Sequence, residues 1–186
     1  SFILSMLRLQ KDKVSDKETQ QHLQENVDRV QAISMVYSKL DSKSDEVEVD
    51  LKAYLSELIE VLLFSVSAPQ KTPKSNLDMA PVTQDPQTAM QMGIILNELV
   101  TNSLKYAFSA VDEPRIDVQL REDGEGRLHF EYTDNGPGFS YQNDESHTEG
   151  FGLSLVESLV DTLDGQVAYS QNGQMKVTIQ LPQQKL

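Results

Sequence analysis

Three short motifs follow one another in the second half of this chain, and together they constrain its fold more than any other feature. Residues 97–102 read NELVTN within a helical pattern, and residues 134–138 read DNGPG after an alternating pattern. Residues 150–153 read GFGL where a polar loop turns into a helix. A polar helix face, an acidic glycine turn and a glycine-opened helix, in this order, predict a pocket for a nucleotide and its metal ion.

The first motif places two metal-ligating side chains one helical turn apart. Glu98 and Asn102 can therefore point oxygens into the same cavity and share a hard cation such as Mg²⁺. Lys105 follows one turn later and can offset phosphate charge. The same spacing is also typical of an ordinary solvated helix face, and the motif alone leaves both interpretations open.

The second motif begins with an acidic residue at the end of a predicted strand. The Asp134 carboxylate can accept a hydrogen bond from an exocyclic amino group such as that of adenine. Gly136 and Gly138 let the backbone approach a flat ring, where a Cβ atom would collide. A plain turn has the same composition, so this motif alone is equally compatible with a turn that binds nothing.

The third motif supplies backbone donors. The free N–H groups at a helix start, made accessible by Gly150 and Gly152, can bind phosphate oxygens. It differs from the GxxxxGK phosphate loop, which does not occur in this sequence. The glycines would also permit tight packing. The order of the three motifs is what favours a nucleotide site.

Composition excludes several other classes. The net charge is −13, with 29 acidic and 16 basic residues, and such a surface repels a phosphate backbone, so we expect no nucleic-acid partner. There is no cysteine, which excludes disulfide scaffolds and thiolate metal sites. The apolar run at residues 2–7 is too short to span a bilayer and has no signal-peptide pattern. We expect no membrane contact by these 186 residues and a cytoplasmic location, and a longer parent protein could still be membrane-anchored.

The first forty residues predict two helices. Ile3, Met6, Leu7 and Leu9 form one apolar stripe, and residues 15–18 resemble a capped helix start. A second stripe with heptad-like spacing follows at Leu23, Val27, Val30, Ser34, Tyr37 and Leu40. A hairpin cannot bury such stripes alone, so the sequence predicts an antiparallel helical hairpin that forms half of a four-helix bundle in a homodimer.

The remainder predicts an α+β sandwich with helices on one face of a mixed sheet. After a polar linker at 41–50 we expect a helix through 54–62, a loop at 67–76 and a strand at 77–82. Asp85-Pro86 would then start a helix over 88–108. A hairpin over 115–134, a helix from Gly150 and a last hairpin over 166–181 complete the pattern. We predict two domains, residues 1–43 and residues 44–186.

These motifs also support a family resemblance. Residues 88–181 resemble the Bergerat-type (GHKL) ATP-binding domain shared by gyrase, heat-shock protein 90, histidine kinases and MutL. ILNELVTNSLKYAF is similar to the asparagine box of that family, DNGPGF to its first glycine box and EGFGLSLV to its second. These boxes, the short lid between them and the hairpin ILSMLRLQ…RVQAISMVYSKL most resemble bacterial sensor histidine kinases. Without a tryptophan the chain lacks the Trp-x-Glu signature of HWE kinases, so it resembles the subfamily allied to them.

The resemblance implies site roles for residues that match the boxes. Asn102 would ligate Mg²⁺, with Glu98 and Asn97 supporting the metal, and Glu98 and Asn102 would act in catalysis. Lys105 and Tyr106 would line the phosphate and ribose side. Asp134 would bind the adenine amino group. Glycines and their neighbours would contact the ring and the phosphates: Gly136, Gly138, Gly150, Phe151, Gly152 and Leu153.

The resemblance implies a kinase that binds Mg-ATP, phosphorylates a histidine and passes the phosphoryl group to an aspartate of a response-regulator receiver domain. None of His22, His129 and His147 matches the acceptor position, so either the acceptor lies upstream of Ser1 or the protein lacks one. One alternative is a non-catalytic phosphotransfer or scaffold protein with a vestigial ATP-binding fold. Another is a gyrase- or MutL-like ATP hydrolase with Glu98 as its base, which would need a longer lid and a transducer domain.

Overall fold

The chain consists of two compact units, Ser1–Asp45 and Glu46–Leu186. The computed structural model describes residues 2–17, 19–20, 23–24, 27, 30–31, 34, 48–65, 72–109, 111–137, 150–170 and 173–183. Within these residues no helix has both the length and the apolar character needed to cross a membrane.

The first unit is helical wherever its residues are described, apart from a short break after the first helix. Helix α1 spans Phe2–Lys13, and the described residues between 17 and 34 are helical as well. Asp16 lies in the break and caps the second helical segment, because its Oδ2 accepts hydrogen bonds from Thr19 N at 2.8 Å and Thr19 Oγ1 at 2.6 Å. The predicted helix start is thus confirmed. Tyr37 and Leu40 of the predicted stripe lie outside the described residues.

In its described residues the second unit combines three α-helices with two sheets. Its strands are β1 (Val49–Asp50), β2 (Lys74–Met79), β3 (Thr83–Gln84), β4 (Arg115–Glu122), β5 (Leu128–Asp134), β6 (Gln166–Ser170) and β7 (Lys176–Leu181). Its helices are α2 (Leu51–Ser65), α3 (Pro86–Asn102) and α4 (Gly150–Thr162), and a π-helix spans Ser103–Ala107. Strands β1 and β3 form a small antiparallel pair.

The main sheet has five strands in the order β2-β4-β5-β7-β6. Strand β2 pairs in parallel with β4, and the other pairs are antiparallel. Buried side chains alternate along the central strands, so that Ile116, Val118 and Leu120 of β4 enter the core beside Phe130 and Tyr132 of β5. The predicted α+β class with a mixed sheet is confirmed.

Strand β2 differs from the expectation. The sequence predicts a loop at 67–76 and a strand at 77–82, whereas the strand begins at Lys74 and ends at Met79. Its ladder to β4 starts at Lys74↔Arg115, and these partners are far apart in sequence. Ser75 and Asn76 are exposed on this edge strand, so they carry no apolar signal that would have marked them as strand residues.

Helix α3 begins where the sequence predicts and ends earlier. Asp85 caps it, because Oδ1 accepts from Gln87 N at 2.8 Å and Thr88 N at 3.1 Å, and Pro86 follows at the first position. The prediction of one helix through Phe108 is wrong, because the α-helix ends at Asn102 and a π-helix follows. There Phe108 N donates to Ser103 O at 3.2 Å, five residues back.

Candidate functional site

The polar residues of the first motif lie on the last turns of α3. Asn97 and Glu98 are each only 1% exposed, and Asn102 is half-buried. An ordinary solvated helix face would expose Glu98, because burying a carboxylate costs free energy unless it has partners. Burial therefore favours the functional interpretation of Glu98 over the solvated face.

The third motif lies against the first. A Cβ atom built on Gly152 would stand 3.2 Å from Glu98 Oε2, 3.4 Å from Asn102 Nδ2 and 3.7 Å from Asn102 Oδ1. The first turn of α4, with its free backbone N–H groups, therefore converges with a carboxylate and an amide. Leu153 is half-buried in the same turn. Structure thus brings together two motifs that are well separated in sequence.

Asp134, from the second motif, ends strand β5 inside the core and is fully buried. Its Oδ2 accepts a hydrogen bond from Ser103 Oγ at 2.5 Å, and its Oδ1 accepts from Gly136 N at 2.9 Å. Burial raises the pKa of Asp134, and the hydrogen bonds from Ser103 and Gly136 act in the opposite direction. The carboxylate is thus held in a fixed orientation by one donor on each oxygen.

Gly136 is required by packing. A Cβ atom at this position would lie 2.5 Å from Ala107 Cβ and 2.9 Å from Ala107 O. The turn after β5 therefore rests directly on the π-helix, and the absence of a side chain allows that contact. A role for Gly136 beside a nucleotide ring stays a prediction. Gly138 lies outside the described residues, as does the side chain of Phe151.

Two hydroxyl groups complete the surroundings of Asp134, and the sequence analysis missed both as site residues. Ser103 Oγ lies 2.8 Å from Tyr132 OH, and both side chains are fully buried. Ser103 falls on the apolar arc of the helix, where a polar residue among buried neighbours could have drawn attention. Tyr132 occupies an inward position of an alternating strand and could have been found in the same way.

Asn135, also missed, ties the turn to the start of β4. Its Oδ1 accepts from Arg115 N at 2.7 Å, and its Nδ2 donates to Glu113 O at 2.8 Å. Asn135 N donates to Arg115 O at 3.1 Å as well. These bonds fix the backbone between Asp134 and Gly136, and hence the direction in which the carboxylate of Asp134 points.

Three other predicted site residues occupy different surroundings. Lys105 and Tyr106 are exposed on the π-helix. Asn97 lies one helical turn after Gly93. Gly93 packs closely against α2, since a Cβ atom there would stand 2.1 Å from Tyr54 OH. Asn97 Nδ2 is buried and makes no hydrogen bond to any described residue. The roles assigned to all three stay predictions.

The histidines were expected to be outside the site. His129 is in β5, and its Nε2 lies 2.9 Å from Asp123 Oδ2. Hydrogen bonds from His129 and Arg127 lower the pKa of Asp123, so this pair is part of the β4–β5 turn. His22 and His147 lie outside the described residues.

A divalent cation has suitable ligands at the junction of α3 and α4. Glu98 and Asn102 offer a carboxylate and an amide oxygen, which are ligand types that Mg²⁺ accepts, and the ion keeps several waters and phosphate oxygens. The described residues contain no group of three or more His, Cys, Asp or Glu side chains placed to hold a metal by themselves. A cation held by Glu98 and Asn102 would therefore take its remaining ligands from other sources.

Family models match most of the chain. The model described as histidine kinase-, DNA gyrase B-, and HSP90-like ATPase matches residues 87–185, and a second, described as histidine kinase, matches residues 1–66. The first match covers more than half of the chain. It includes all three motifs and the residues that surround Asp134.

Relatives and solved structures agree with these matches. Sensor histidine kinase PdtaS of Mycolicibacterium smegmatis is 29% identical over 88% of this chain and 32% of that protein. Blue-light-activated histidine kinase 2 of Erythrobacter litoralis is 27% identical over 100% of this chain and 54% of that protein. The chain therefore spans between about a third and about half of these curated relatives. The histidine kinase domain of an Erythrobacter litoralis blue-light-activated histidine kinase has a TM-score of 0.72 at 21% identity, covering 97% and 86% of the two chains.

The fold and the family-model match thus define a domain of the histidine kinase-, DNA gyrase B- and HSP90-like ATPase class. The chain belongs to this family and, within it, to the histidine kinases. The resemblance inferred from the sequence is confirmed.

Proposed function

We propose that this chain is the catalytic region of a two-component sensor histidine kinase, which binds Mg-ATP and transfers the γ-phosphoryl group to a histidine. The observation that carries the proposal is the approach of Gly152 to Glu98 and Asn102. Backbone donors, a carboxylate and an amide meet where α4 contacts the end of α3, and Ser103, the next residue after Asn102, donates to the fully buried acceptor Asp134.

Adenine binding is assigned to Asp134. Its carboxylate oxygens each hold one donor and retain lone pairs for a third, such as the exocyclic amino group of adenine. A buried acceptor left without its partner is costly, so a base that offers no donor at this point is rejected.

The phosphates are assigned to the junction of α3 and α4. Asn102 and Glu98 would hold Mg²⁺, which neutralises charge on the phosphates when bound. The N–H groups of Gly150, Phe151, Gly152 and Leu153 would bind phosphate oxygens at the start of α4. Lys105 and Tyr106, exposed on the π-helix, would line the phosphate and ribose side.

Transfer itself requires little covalent chemistry from this chain. An imidazole nitrogen forms a bond to the γ-phosphorus while the bond from that phosphorus to the β–γ bridging oxygen breaks, and ADP leaves. Glu98 and Asn102 act by positioning the phosphates. The histidine then passes the phosphoryl group to an aspartate of a receiver domain. Both ATP and receiver domains occur in the cytoplasm, which is where we place this activity.

We also propose that the chain assembles as a homodimer through the first unit. Met6 is 46% exposed and Leu9 is 61% exposed on α1, and such apolar side chains favour a partner surface. We propose that residues 1–43 are the dimerisation hairpin and residues 44–186 the catalytic domain. Sedimentation across a concentration series tests this, and a monomer at high concentration would contradict it.

Calorimetric titration of Mg-ATP tests nucleotide binding. We expect binding by the wild-type chain and loss of binding in Asp134→Ala, with Asp117→Ala of the exposed face of β4 as the matched control. Equal affinity of the two variants would refute the assignment of Asp134.

Phosphorylation of the full-length protein tests transfer. We expect acid-labile, base-stable label on histidine that Asn102→Ala abolishes. ATP binding without any such label would favour the alternative of a non-catalytic scaffold.

A further inference from the structure

A chain of buried hydroxyl groups ends on the carboxylate of Asp134. Tyr132 OH lies 2.8 Å from Ser103 Oγ, and Ser103 Oγ lies 2.5 Å from Asp134 Oδ2. The side chains of all three residues are fully buried. Two weaker contacts run to Leu99 O, from Ser103 Oγ at 3.2 Å and from Tyr132 OH at 3.4 Å.

Counting protons fixes the direction of these bonds. Each hydroxyl has a single proton, and an ionised carboxylate only accepts. With Asp134 ionised, Ser103 donates to Asp134 Oδ2 and accepts from Tyr132. Every proton of the chain then points towards the carboxylate, and Gly136 N supplies the donor for the other oxygen.

A protonated Asp134 would reverse the chain. Asp134 would donate to Ser103, Ser103 would donate to Tyr132 or Leu99 O, and Leu99 O would be the final acceptor. The bonds to Leu99 O are the longest of the set, so the reversed order depends on the poorest geometry. When Asp134 is ionised and accepts, the chain needs only the two short bonds, from Tyr132 OH to Ser103 Oγ and from Ser103 Oγ to Asp134 Oδ2.

We propose that Ser103, supported by Tyr132, is a positioning residue that keeps Asp134 a hydrogen-bond acceptor and thereby selects a 6-amino purine over a 6-oxo purine. This inference rests on the proposed function. A 6-amino group donates, and so needs an acceptor, whereas a 6-oxo group accepts and needs a donor. Without the Ser103 hydroxyl, a protonated Asp134 would have no serine to donate to, and its proton would be available to a 6-oxo purine.

Among the residues that the structure describes, few groups act on the carboxylate of Asp134. They are the Ser103 hydroxyl of the π-helix, the Tyr132 hydroxyl of the same strand and the N–H group of Gly136. Strand β4 places Ile116 opposite Asp134, and Met175 O, just before β7, accepts from Asp134 N at 3.1 Å. Because burial raises the pKa of Asp134, loss of the Ser103 donor removes a group that favours its ionised form.

The test compares the binding of ATP and ITP, which differ only at the 6-position and its neighbouring ring nitrogen. Titrations with fixed Mg²⁺ from about pH 5 to about pH 9 would use the wild type, Ser103→Ala and Tyr132→Phe. We expect Ser103→Ala to lower the preference for ATP over ITP about tenfold and to move the loss of ATP affinity to a higher pH. Tyr132→Phe keeps the Ser103–Asp134 bond and should retain most of the preference.

A second readout needs no nucleotide. Carbon NMR of the Asp134 carboxyl group should show its titration at a higher pH in Ser103→Ala than in the wild type, and thermal melts would establish that both are folded. The inference would be overturned if the Asp134 carboxyl titrated at the same pH in Ser103→Ala and in the wild type. It would also be overturned if folded Ser103→Ala kept the wild-type preference for ATP over ITP. Either result would leave the proposed function intact. A wild-type chain that binds neither nucleotide would overturn the proposed function instead.

Discussion

Gly152 lies against the side chain of Glu98, so closely that a Cβ atom would stand 3.2 Å from Glu98 Oε2. This contact joins the start of α4 to the polar face of α3. Any side chain at this position must push either Glu98 or Asn102 aside by a few tenths of an ångström. The glycine therefore sets the separation between the backbone donors of α4 and the two polar side chains of α3.

Replacing Gly152 tests that spacing. We expect Gly152→Ala to remain folded and to lose about tenfold in Mg-ATP affinity, because the added methyl group displaces Glu98 or Asn102. Calorimetry measures the affinity. Gly124→Ala is the control, since a Cβ atom there meets nothing within 4 Å. Unchanged affinity in Gly152→Ala would mean that the spacing does not matter for the ligand.

The contribution of Asn102 is expected to depend on Mg²⁺. Asn102→Ala removes an amide ligand, so we expect at least about a hundredfold loss of ATP affinity in Mg²⁺ and a much smaller change in EDTA. Titrations with and without the ion separate the two effects. Asn76→Ala, on the exposed edge strand, provides the matched control. An equal loss in both conditions would indicate a structural role for Asn102.

Asp134 should destabilise the folded protein at neutral pH. Burial raises its pKa, so the folded state holds this proton at pH values where the unfolded state has lost it. The free energy of unfolding therefore falls as pH rises from about pH 4 through the raised pKa. We expect Asp134→Asn to remove this slope and to be at least as stable as the wild type at neutral pH. Urea denaturation of the wild type and of Asp134→Asn at a series of pH values measures how the free energy of unfolding depends on pH.

Asp78 supplies a control of opposite sign for that experiment. A hydrogen bond from Arg121 lowers the pKa of Asp78 at the exposed edge of the sheet. Any stability that Asp78 contributes is therefore present above its unfolded pKa and is lost as pH falls through the folded one. If Asp78 and Asp134 contributed slopes of the same sign to the pH dependence of the free energy of unfolding, the slope assigned to Asp134 could not be caused by its burial.

The packing of α3 on α2 depends on Gly93. A Cβ atom there would lie 2.1 Å from Tyr54 OH and 2.8 Å from Tyr54 Cε1. We expect Gly93→Ala to lower the free energy of unfolding by about 1–3 kcal/mol, since Tyr54 is fully buried and must move. Tyr54→Phe in the same background should recover part of the loss. Chemical denaturation of both single variants and the double variant measures the coupling.

Local sequence signals predicted the elements that depend on neighbouring residues. Asp85 and Pro86 specify the start of α3, because the cap and the proline act within one helical turn. Alternating residues on both sides of Asp123 predicted the β4–β5 hairpin. The first and third motifs identified residues that meet at the junction of α3 and α4, and the second identified Asp134, to which Ser103 donates. The family resemblance assigned these residues roles that the geometry alone does not test.

What the sequence by itself determined, then, is the class of fold and the order of the main elements, since propensity, capping and alternation operate over a few residues. The place of the site stays a prediction. Only the tertiary structure decided the start of β2, the π-helix and the link between Ser103 and Asp134. The partners of Ser103 lie 29 and 31 residues away, and no local pattern reports such a bond. Hydrogen bonds between distant residues become determined only when the helix and the strand pack together.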